Sequence, residues 1–322
     1  MTHDHSEFYG RDDEAAPAFA TAVLAGLSKR QKMLPCEFFY DARGSELFEA
    51  ITALPEYYPT RTETAILTQY APEIAAGTPP GAVLVEFGSG SSVKTEILLR
   101  ALKGLSAYVP VDVSSSALAL ARDRLIRRFP DLRVHGVEGD FRAGLALPVE
   151  LAGKPRLGFF PGSTIGNFTP IKAARLLQVF ARNLGHGARL IIGVDLLKDE
   201  GRLVSAYDDA AGVTAAFNLN LLERANRELG ADFDLASFAH KAIFNRSLGR
   251  IEMHLVSRTR QSVSLLGRSF DFVPGETIHT ENSHKYTVAG FHNLTGGAGW
   301  IPTRVWTDAD DLFSVHELVL KA

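Results

Sequence analysis

The sequence is poor in cysteine, methionine and tryptophan, with one, three and two residues among 322. A single cysteine, Cys36, excludes an internal disulfide bond and a zinc cluster built from cysteines. No apolar run approaches the ~20 residues that span a bilayer, so no membrane association is expected. Neither sign of charge prevails, since the net charge is −3, and nucleic acid is not expected as a partner. The composition is that of a globular chain, long enough for one large or two medium domains.

The N-terminal segment MTHDHSEFYGRDDEAAP is polar and acidic and lacks the apolar stretch of a signal peptide. We therefore expect a cytoplasmic protein, and we expect it to be a monomer. His3 and His5 could bind a metal ion. A disordered chain end is the simpler interpretation, and no metal site is expected.

A strand, a glycine turn and a helix follow one another near residue 88. The apolar run Val83–Phe87 contains an acid near its end, Glu86, and leads into Gly88-Ser89-Gly90. This order is typical of a site for a nucleotide-type ligand. The dinucleotide fingerprint needs a third glycine where this chain has Val93, which disfavours an NAD site without excluding it. An acid followed by G-x-G resembles the first motif of the class I S-adenosylmethionine (SAM)-dependent methyltransferases, so SAM is the expected cofactor.

Strands and helices alternate from residue 83 to residue 194, which predicts a parallel sheet with right-handed crossovers. The predicted strands are Val83–Phe87, Ala107–Val111, Leu132–Val137, Leu157–Phe160 and Ala188–Val194. The pattern then changes to a long helix and short alternating segments, which indicates an antiparallel α+β region. Two closing strands, Ile301–Trp306 and Phe313–Leu320, suit the hairpin of a seven-stranded methyltransferase sheet.

The predicted fold class is therefore α/β, a Rossmann-like seven-stranded class I methyltransferase sheet with a second, discontinuous α+β substrate domain. The expected boundaries are residues 62–197 and 287–322 for the cofactor domain, and 1–61 and 198–286 for the substrate domain.

Three acids follow successive predicted strands, where ligands of open α/β sheets bind. These are Glu86, Asp112 and Asp140. Asp112 lies 24 residues after Gly88, a spacing that suits an acid gripping two ribose hydroxyls. Asp140 could accept a hydrogen bond from an adenine amino group, and the neighbouring Phe141 could cover the adenine ring. Each acid alone could equally be a helix cap or a solvated turn.

Lys94 falls in the first turn of the next predicted helix, where the helix dipole disfavours a cation. Contact with the cofactor carboxylate would explain its position, and a solvated surface lysine is an equal alternative.

The fourth predicted strand runs into Pro161–Phe168, which we call the acceptor loop. Many amine methyltransferases carry an Asn/Asp-Pro-Pro-aromatic motif here, and this chain lacks it. It offers Gly162 and Asn167 instead. The side chain of Asn can both donate and accept hydrogen bonds, which suits an amino acid better than a flat nucleobase edge.

Taken together, the longer motifs are specific. They are Phe39–Glu63, Gly162–Asn167, Ala206–Asn218, Arg250–Met253 and Glu281–Tyr286. In these segments the chain resembles the histidine-specific methyltransferases of ergothioneine biosynthesis. Those enzymes trimethylate the α-amino group of free L-histidine to give hercynine. The resemblance covers nearly the whole chain and implies the same cofactor, substrate and reaction.

The resemblance also implies roles for individual residues. The implied cofactor positions are Tyr40, Gly88, Lys94, Asp112, Asp140 and Phe141, to which the turn itself adds Glu86 and Gly90. The implied substrate positions are Phe48, Tyr57, Gly162, Asn167, Tyr207, Met253, Glu281 and Ser283. Asn167 and Tyr207 would hold the backbone end of histidine, and Glu281 with Ser283 would recognise its imidazole. Tyr40, as a candidate base, and Asn167, as the group that orients the amine, are the candidate catalytic residues; a water chain or solvent could replace the base.

Other interpretations remain at this stage. The chain could methylate another amino acid or small amine, or it could be a sensor without catalysis. Without the resemblance, Glu281 would be taken for a surface acid, Tyr57 for a packed turn residue and Met253 for a core residue. His279 and His284 flank Glu281, but methyl transfer needs no metal ion, and none is expected there.

Overall fold

The structure is a computed structural model, and it describes residues 12–90 and 93–321. The predicted metal-binding alternative at His3 and His5 lies outside these residues. The chain divides into two compact units. Residues 59–198 and 284–322 form the Rossmann unit, and the preceding residues with 199–283 form the α+β unit. These limits differ from the expected ones by at most three residues.

Helices and strands alternate along most of the chain. The helices are α1 (Asp12–Leu27), α2 (Ala42–Thr52), α3 (Tyr58–Ala76), α4 (Val93–Ala101), α5 (Ser115–Arg128), α6 (Pro170–Leu184), α7 (Glu200–Ser205), α8 (Val213–Leu229) and α9 (Val288–Gly297). The strands are β1 (Lys32–Met33), β2 (Val83–Phe87), β3 (Ala107–Asp112), β4 (Val137–Glu138), β5 (Arg156–Phe160), β6 (Arg189–Asp195), β7 (Phe238–Asn245), β8 (Arg250–Ser257), β9 (Gln261–Leu265), β10 (Arg268–Phe272), β11 (Thr277–His284), β12 (Trp300–Thr307) and β13 (Phe313–Leu320). Within the described ranges, no helix is both long and apolar enough to cross a bilayer.

A seven-stranded sheet forms the centre of the Rossmann unit, in the order β12-β13-β6-β5-β2-β3-β4. Strands β2 to β6 are parallel, and β13 runs antiparallel to both β6 and β12. All residues of β2 are buried, as expected for a parallel strand covered on both faces. The predicted class I methyltransferase sheet, with its closing hairpin, is confirmed.

The core of the Rossmann unit lies on both faces of this sheet because side chains alternate along each strand. Val83, Val85 and Phe87 belong to one apolar cluster, and Leu84 belongs to the cluster on the other face. Because β2 and β3 are paired in parallel, their carboxyl ends lie side by side at one edge of the sheet. The Gly88 turn, which follows β2, is thereby placed next to Asp112, which ends β3.

The predicted third strand, Leu132–Val137, is wrong in length. Only Val137–Glu138 forms β4, and Val134 makes an isolated bridge with Tyr108. β4 is an edge strand that pairs on one side only, with β3. Few ladder hydrogen bonds are therefore available to order the predicted strand, and short edges of this kind are common in natural sheets.

The sequence Thr60-Arg61-Thr62-Glu63 fits a capping box that would open a helix through about Ala76, with a possible break at Pro72, and the predicted cap is wrong. α3 begins at Tyr58, so Thr60 lies inside the helix, and the helix continues through Pro72 to Ala76. Packing of its apolar face into the core explains why Pro72 does not end it, since tertiary packing supplies most helical stability.

The α+β unit contains a four-stranded sheet in the order β1-β11-β8-β7 and a separate hairpin of β9 and β10. β11 has no apolar pattern in its sequence and was not predicted as a strand. Its residues, TIHTENSH, are mostly polar, and yet Thr280, Ser283 and His284 are buried. The apolar alternation that identifies most strands is therefore missing from the strand that carries Glu281 and Ser283.

Candidate functional site

The glycine turn after β2 has the backbone of a ligand-binding turn. Gly88 has φ +73°, and Gly90 has φ +44°, both in the left-handed region that favours glycine. A Cβ atom on Gly88 would lie 3.3 Å from Cε1 of Phe141. Gly88 thus combines an unusual backbone conformation with a close approach to an aromatic ring, and Phe141 is brought to the turn as expected.

Asp112 lies at the carboxyl end of β3, beside the same turn. Its Oδ2 accepts a hydrogen bond from the backbone N–H of Gly90 at 3.2 Å, and its Oδ1 accepts one from that of Ser114 at 3.1 Å. The carboxylate is therefore held next to the glycines, in the place expected for an acid that binds ribose hydroxyls.

Asp140 precedes Phe141 and is paired with Arg142. The Nε of Arg142 donates to both carboxylate oxygens, at 2.9 and 2.8 Å, and its backbone N–H donates at 2.8 Å. Burial raises the pKa of Asp140, but these hydrogen bonds and the arginine charge outweigh it, so the pKa falls below its ordinary value. Asp140 is thus an ionised hydrogen-bond acceptor, and it directly precedes Phe141 in the chain.

Glu86 differs from the other two acids because it is enclosed in the fold. Its carboxylate accepts hydrogen bonds from Thr95 Oγ1 at 2.7 Å and from the hydroxyl of Tyr108. Burial raises its pKa to about 7, although these hydrogen bonds oppose the change. The expected cofactor contact is therefore not supported by this geometry, which favours a structural role in linking α4 to β3.

Lys94 is neither a solvated surface lysine nor unpaired. Its Nζ forms an ion pair with Glu63 at 2.5 Å, and both side chains are largely buried. The same carboxylate accepts a hydrogen bond from the backbone N–H of Gly162, at 3.0 and 2.8 Å from its two oxygens. Glu63 was missed as a site residue because its sequence pattern suggested a helix cap, and no local signal indicates these partners.

The acceptor loop begins with an unfavourable backbone conformation and is held in place by hydrogen bonds. Gly162 and the non-glycine Ser163 both have positive φ, at +82° and +55°, before a short 3₁₀ helix Thr164–Asn167. Ser163 Oγ accepts a hydrogen bond from the backbone N–H of Asp195 at 2.9 Å. The half-buried Asn167 makes no side-chain hydrogen bond to any other described residue. Its amide is therefore available to a ligand.

A buried charge cluster lies at the end of β6, beside the acceptor loop. Asp195 pairs with Lys285 at 2.7 Å and with Lys198 at 2.6 Å. Burial raises the pKa of Asp195, but the two lysine charges outweigh it and keep the carboxyl ionised. Burial lowers the pKa of Lys198 to about 8. The sequence offered a signal, since Asp195 follows a predicted strand as Asp112 does, but the lysine partners could not be foreseen.

In the α+β unit, five aromatic side chains form what we call the aromatic cluster. Its members are Tyr40, Phe48, Tyr57, Tyr207 and Phe217. Ring centroids lie 5.5 Å apart for Tyr40 and Phe48, 6.3 Å for Phe48 and Tyr57, and 6.1 Å for Tyr57 and Tyr207. Phe217 was not predicted as a site residue, although it lies in the conspicuous segment Ala206–Asn218. The four predicted aromatic residues are thus brought together.

Tyr40 owes its position to the residues that follow it. Asp41 caps α2 by accepting a hydrogen bond from the backbone N–H of Gly44 at 2.7 Å, and it accepts another from Asn220 Nδ2 at 2.8 Å. A Cβ atom on Gly44 would lie 1.7 Å from the carbonyl oxygen of Phe39, so only glycine fits there. This segment therefore fixes the backbone on both sides of Tyr40.

The hydroxyl of Tyr40 is poorly suited to lose a proton. The ring is 47% exposed, so a ligand can reach it. The surrounding protein nevertheless desolvates the hydroxyl, and this raises its pKa well above the ordinary value. Charge on Glu281 and on neighbouring tyrosines adds to the increase. Tyr40 can therefore donate a hydrogen bond, but it is a weak candidate for the phenolate base considered from sequence.

Tyr207 connects the aromatic cluster to β11. Its hydroxyl lies 2.8 Å from Ser283 Oγ, and its carbonyl oxygen lies 2.8 Å from His240 Nε2. Asn218 Nδ2 donates to His240 Nδ1 at 2.9 Å, so the proton of the neutral ring is on Nε2 and is donated to Tyr207. Tyr207 and Ser283, which were assigned to opposite ends of the substrate, therefore contact each other.

Glu281 and Met253 lie on neighbouring strands of the four-stranded sheet. Glu281 is half-buried on β11, close enough to Tyr40 to raise its pKa. Met253 is 2% exposed on β8, and its carbonyl oxygen accepts a hydrogen bond from Thr280 Oγ1 at 3.1 Å. The burial of Met253 agrees with either a core position or a pocket wall.

Three potential metal ligands, Glu252, His254 and His279, lie within 4.8 Å of one another. Arg250 Nε and a terminal guanidinium nitrogen donate to Glu252 Oε1 at 2.8 and 2.6 Å, and His254 Nε2 lies 3.1 Å from Oε2. The two histidine rings stack at 4.8 Å. The Arg250 guanidinium already binds the Glu252 carboxylate, and the rings of His254 and His279 stack on each other. This arrangement favours a hydrogen-bonded cluster over a metal site.

The residues around the glycine turn fit SAM. Gly90 leaves open space beside Asp112, since a Cβ atom there would meet no described atom within 4 Å, and the Phe141 ring lies against Gly88. A second acid, Asp140, which precedes Phe141 in the chain, stays ionised. These groups match the ribose and adenine of the cofactor.

Comparison with known proteins agrees with this geometry. A family model described as "Histidine-specific methyltransferase, SAM-dependent" matches residues 19–320. A protein of Mycolicibacterium smegmatis named "Histidine N-alpha-methyltransferase" is 47% identical over 302 residues, which cover 92% of this chain and 93% of that protein. A protein of the same name from Mycobacterium tuberculosis is 43% identical over 303 residues, with the same coverage.

A fungal relative is much longer than this chain. "Ergothioneine biosynthesis protein 1" of Neurospora crassa is 32% identical over 300 residues, which cover 89% of this chain and 33% of that protein. The family match and the two bacterial relatives cover nearly all of the chain, the Rossmann unit and the α+β unit alike. The chain belongs to the family of histidine-specific, SAM-dependent methyltransferases.

Proposed function

We propose that this chain transfers three methyl groups in succession from SAM to the α-amino group of free L-histidine. The product is hercynine, and the reaction is the first step of ergothioneine biosynthesis. The observation that carries the proposal is the match of residues 19–320 to a histidine-specific family. The grouping of Tyr40, Tyr207, Glu281 and Ser283 within one unit supports it.

Residues of the Rossmann unit would hold the cofactor. Asp112 would accept hydrogen bonds from the ribose, Asp140 one from the adenine amino group, and Phe141 would cover the ring. Gly88 would allow a close backbone approach, and Lys94 would meet the amino-acid end. When bound, SAM supplies an electrophilic methyl group on a sulfonium.

Residues of the α+β unit would recognise the imidazole. A neutral imidazole carries one N–H donor and one acceptor nitrogen. Glu281 would accept from the ring N–H, and the hydroxyl of Ser283, which Tyr207 orients at 2.8 Å, would donate to the other nitrogen. Phe48, Tyr57 and Met253 would supply apolar walls. A phenol carries its donor and acceptor on a single oxygen and an indole offers only a donor, so neither presents the two separate ring nitrogens that this pair would read, which supports histidine over these amino acids.

The amine must be neutral before each transfer, although a free α-amino group has a pKa of about 8. The raised pKa of Tyr40 disfavours it as the base, so we propose that the proton leaves to solvent. The Asn167 amide carries no charge, and in the first two transfers its oxygen would orient the amine by accepting a remaining N–H; the neutral dimethylated amine has no N–H and would be oriented by the pocket walls alone. Glycine at position 162 leaves room beside the loop for added methyl groups.

The partners and the location follow from this chemistry. The substrate is a small free amino acid, so neither nucleic acid nor a membrane is needed. We propose a cytoplasmic location, because SAM and free histidine are cytoplasmic metabolites, and we propose that the protein is a monomer. Light scattering of the purified protein tests the monomer, and a particle larger than one chain would refute it. Fractionation of cells tests the location.

The experiment is a substrate panel. The purified chain is incubated with SAM that carries deuterated methyl groups and, separately, with each of the twenty amino acids. Mass spectrometry counts the methyl groups transferred. Trimethylation of histidine alone supports the proposal. Preferential methylation of tyrosine, tryptophan or another amine would favour the alternative of a different N-methyltransferase, and binding without any transfer would favour a sensor.

A further inference from the structure

Glu63 lies on α3, where the sequence pattern suggests only a helix cap, and the proposed function gives it no role. Its side chain is nonetheless one of the most thoroughly enclosed in the Rossmann unit, at 0% exposure. A buried carboxylate needs partners, because an unpaired buried charge is strongly unfavourable. The identity of those partners indicates what the residue does.

The two partners of Glu63 come from the two functional segments of this unit. Lys94, 2.5 Å away, lies in the first turn of α4, directly after the glycine turn. The backbone N–H of Gly162, 2.8 and 3.0 Å from the two oxygens, opens the acceptor loop. One carboxylate therefore connects the segment proposed to hold the cofactor with the segment that presents Asn167.

The neighbouring strand is shaped to admit this carboxylate. A Cβ atom on Gly193 of β6 would lie 1.9 Å from Glu63 Oε1, so a side chain at this position would displace the carboxylate. A Cβ atom on Gly162 would lie 3.8 Å from Lys94 Nζ. The absence of a side chain at Gly193 lets the carboxylate reach Lys94 and Gly162.

The loop that Glu63 holds has an unfavourable backbone. Gly162 at φ +82° is followed by Ser163 at φ +55°, which an L-residue rarely adopts. Such conformations persist only where surrounding contacts fix them. The hydrogen bond from Gly162 to Glu63 and the one from Asp195 to Ser163 provide those contacts. The direction in which Asn167 emerges depends on them.

We propose that Glu63 is a positioning residue for methyl transfer, which couples Lys94 to the acceptor loop through its carboxylate. The inference rests on the proposed roles of Lys94 and Asn167. It goes beyond a stabilising ion pair, because loss of the carboxylate should release both segments at once. Glu63→Gln keeps the shape but has one neutral amide oxygen where the carboxylate has two charged ones, so it loses the ion pair with Lys94 and weakens the hydrogen bond from Gly162.

The test measures cofactor binding apart from turnover. Calorimetry with S-adenosylhomocysteine compares the wild type, Glu63→Gln and Glu73→Gln. Glu73 is the matched control, since it lies on the same helix, is exposed and accepts a hydrogen bond from Trp306. We expect at least a tenfold weaker affinity in Glu63→Gln, less than a twofold change in Glu73→Gln, and a lower kcat in Glu63→Gln than in either.

Glu63→Asp is the second variant, in case Glu63→Gln fails to fold. It keeps the charge but cannot reach both partners, so we expect weaker binding and a lower kcat than in the wild type. Unchanged affinity and kcat in a folded Glu63 variant, with only a lower melting temperature, would overturn the proposal. Calorimetry involves no histidine, so a failure of the substrate assignment would be seen separately, as a wild type that binds cofactor and leaves histidine unmodified.

Discussion

The two units of this chain position their polar side chains in different ways. In the Rossmann unit, Asp112 hydrogen-bonds to backbone only two residues away and to the Gly90 turn of the adjoining strand. In the α+β unit, Tyr40 approaches Glu281, and Tyr207 approaches Ser283, across long stretches of sequence. The first arrangement follows from local motifs at strand ends, and the second exists only in the folded unit. Cofactor recognition should therefore depend on local backbone geometry, and substrate recognition on a tertiary cluster.

The largest effect should come from the α+β unit. In Glu281→Ala, we expect the kcat/KM for histidine to fall roughly 100-fold, because a charged hydrogen bond to the imidazole contributes about 1.5–3 kcal/mol. The KM for SAM should change less than threefold. Steady-state kinetics measures both. Glu276→Ala is the control, since Glu276 precedes the same strand and pairs with Lys32. Equal changes in the two KM values would remove Glu281 from substrate recognition.

The corresponding loss of an acid in the Rossmann unit should weaken binding of the cofactor rather than of histidine. In Asp112→Ala, we expect about 30-fold weaker binding of S-adenosylhomocysteine, from the loss of about 2 kcal/mol of hydrogen bonding to the ribose. Calorimetry measures the affinity, and Asp123→Ala on the exposed face of α5 serves as control. An unchanged affinity would show that the Asp112 carboxylate serves only the Gly90 turn.

The glycine turn allows a sharper comparison within the Rossmann unit. Gly88 and Gly104 have nearly the same backbone, with φ +73° and +74°, but only Gly88 faces the Phe141 ring. Alanine at either position should cost about 1 kcal/mol of stability. Only Gly88→Ala should also weaken cofactor binding, by about tenfold. Equal affinities in two equally destabilised variants would mean that the turn is structural.

The smallest effect on binding should come from Glu86→Gln, since Glu86 is bonded to Thr95 and Tyr108. Cofactor affinity should stay within twofold of the wild type. The pKa of Glu86 is raised to about 7 in the folded protein, so its contribution to stability is greatest below the ordinary carboxyl pKa and is lost as pH rises through 7. The melting temperature of Glu86→Gln, relative to the wild type, should therefore rise between pH 5 and pH 8.

A difference in melting temperature that does not depend on pH would contradict the buried, proton-binding state of Glu86. A large loss of cofactor affinity in Glu86→Gln would support the contact between Glu86 and the cofactor that was predicted from the sequence.

The sequence predicted the Rossmann unit well for a physical reason. Buried parallel strands have continuous apolar runs, and their glycine turns and terminal acids are local in sequence, so Gly88 and Asp112 could be found directly. Glu63 could not, because the features that define it are hydrogen bonds to residues 31 and 99 positions away. The helix pattern around Glu63 indicated a cap and concealed its partners.

The α+β unit was predictable in its motifs but not in its geometry. β11 is polar and still buried, so the period-two apolar pattern fails on the strand that carries Glu281 and Ser283. Phe217 joins the aromatic cluster from the middle of a helix whose apolar residues mostly form core. The candidate substrate residues are implied by the resemblance, whereas their contacts with one another required the folded sheet.

The central claim is that the α-nitrogen of free histidine receives the methyl groups. The most direct measurement is tandem mass spectrometry and NMR of the product formed from histidine and SAM with deuterated methyl groups. We predict three labelled methyl groups on the α-nitrogen and an unmodified imidazole. Label on a ring nitrogen, or no label on histidine while another amino acid is methylated, would contradict the account.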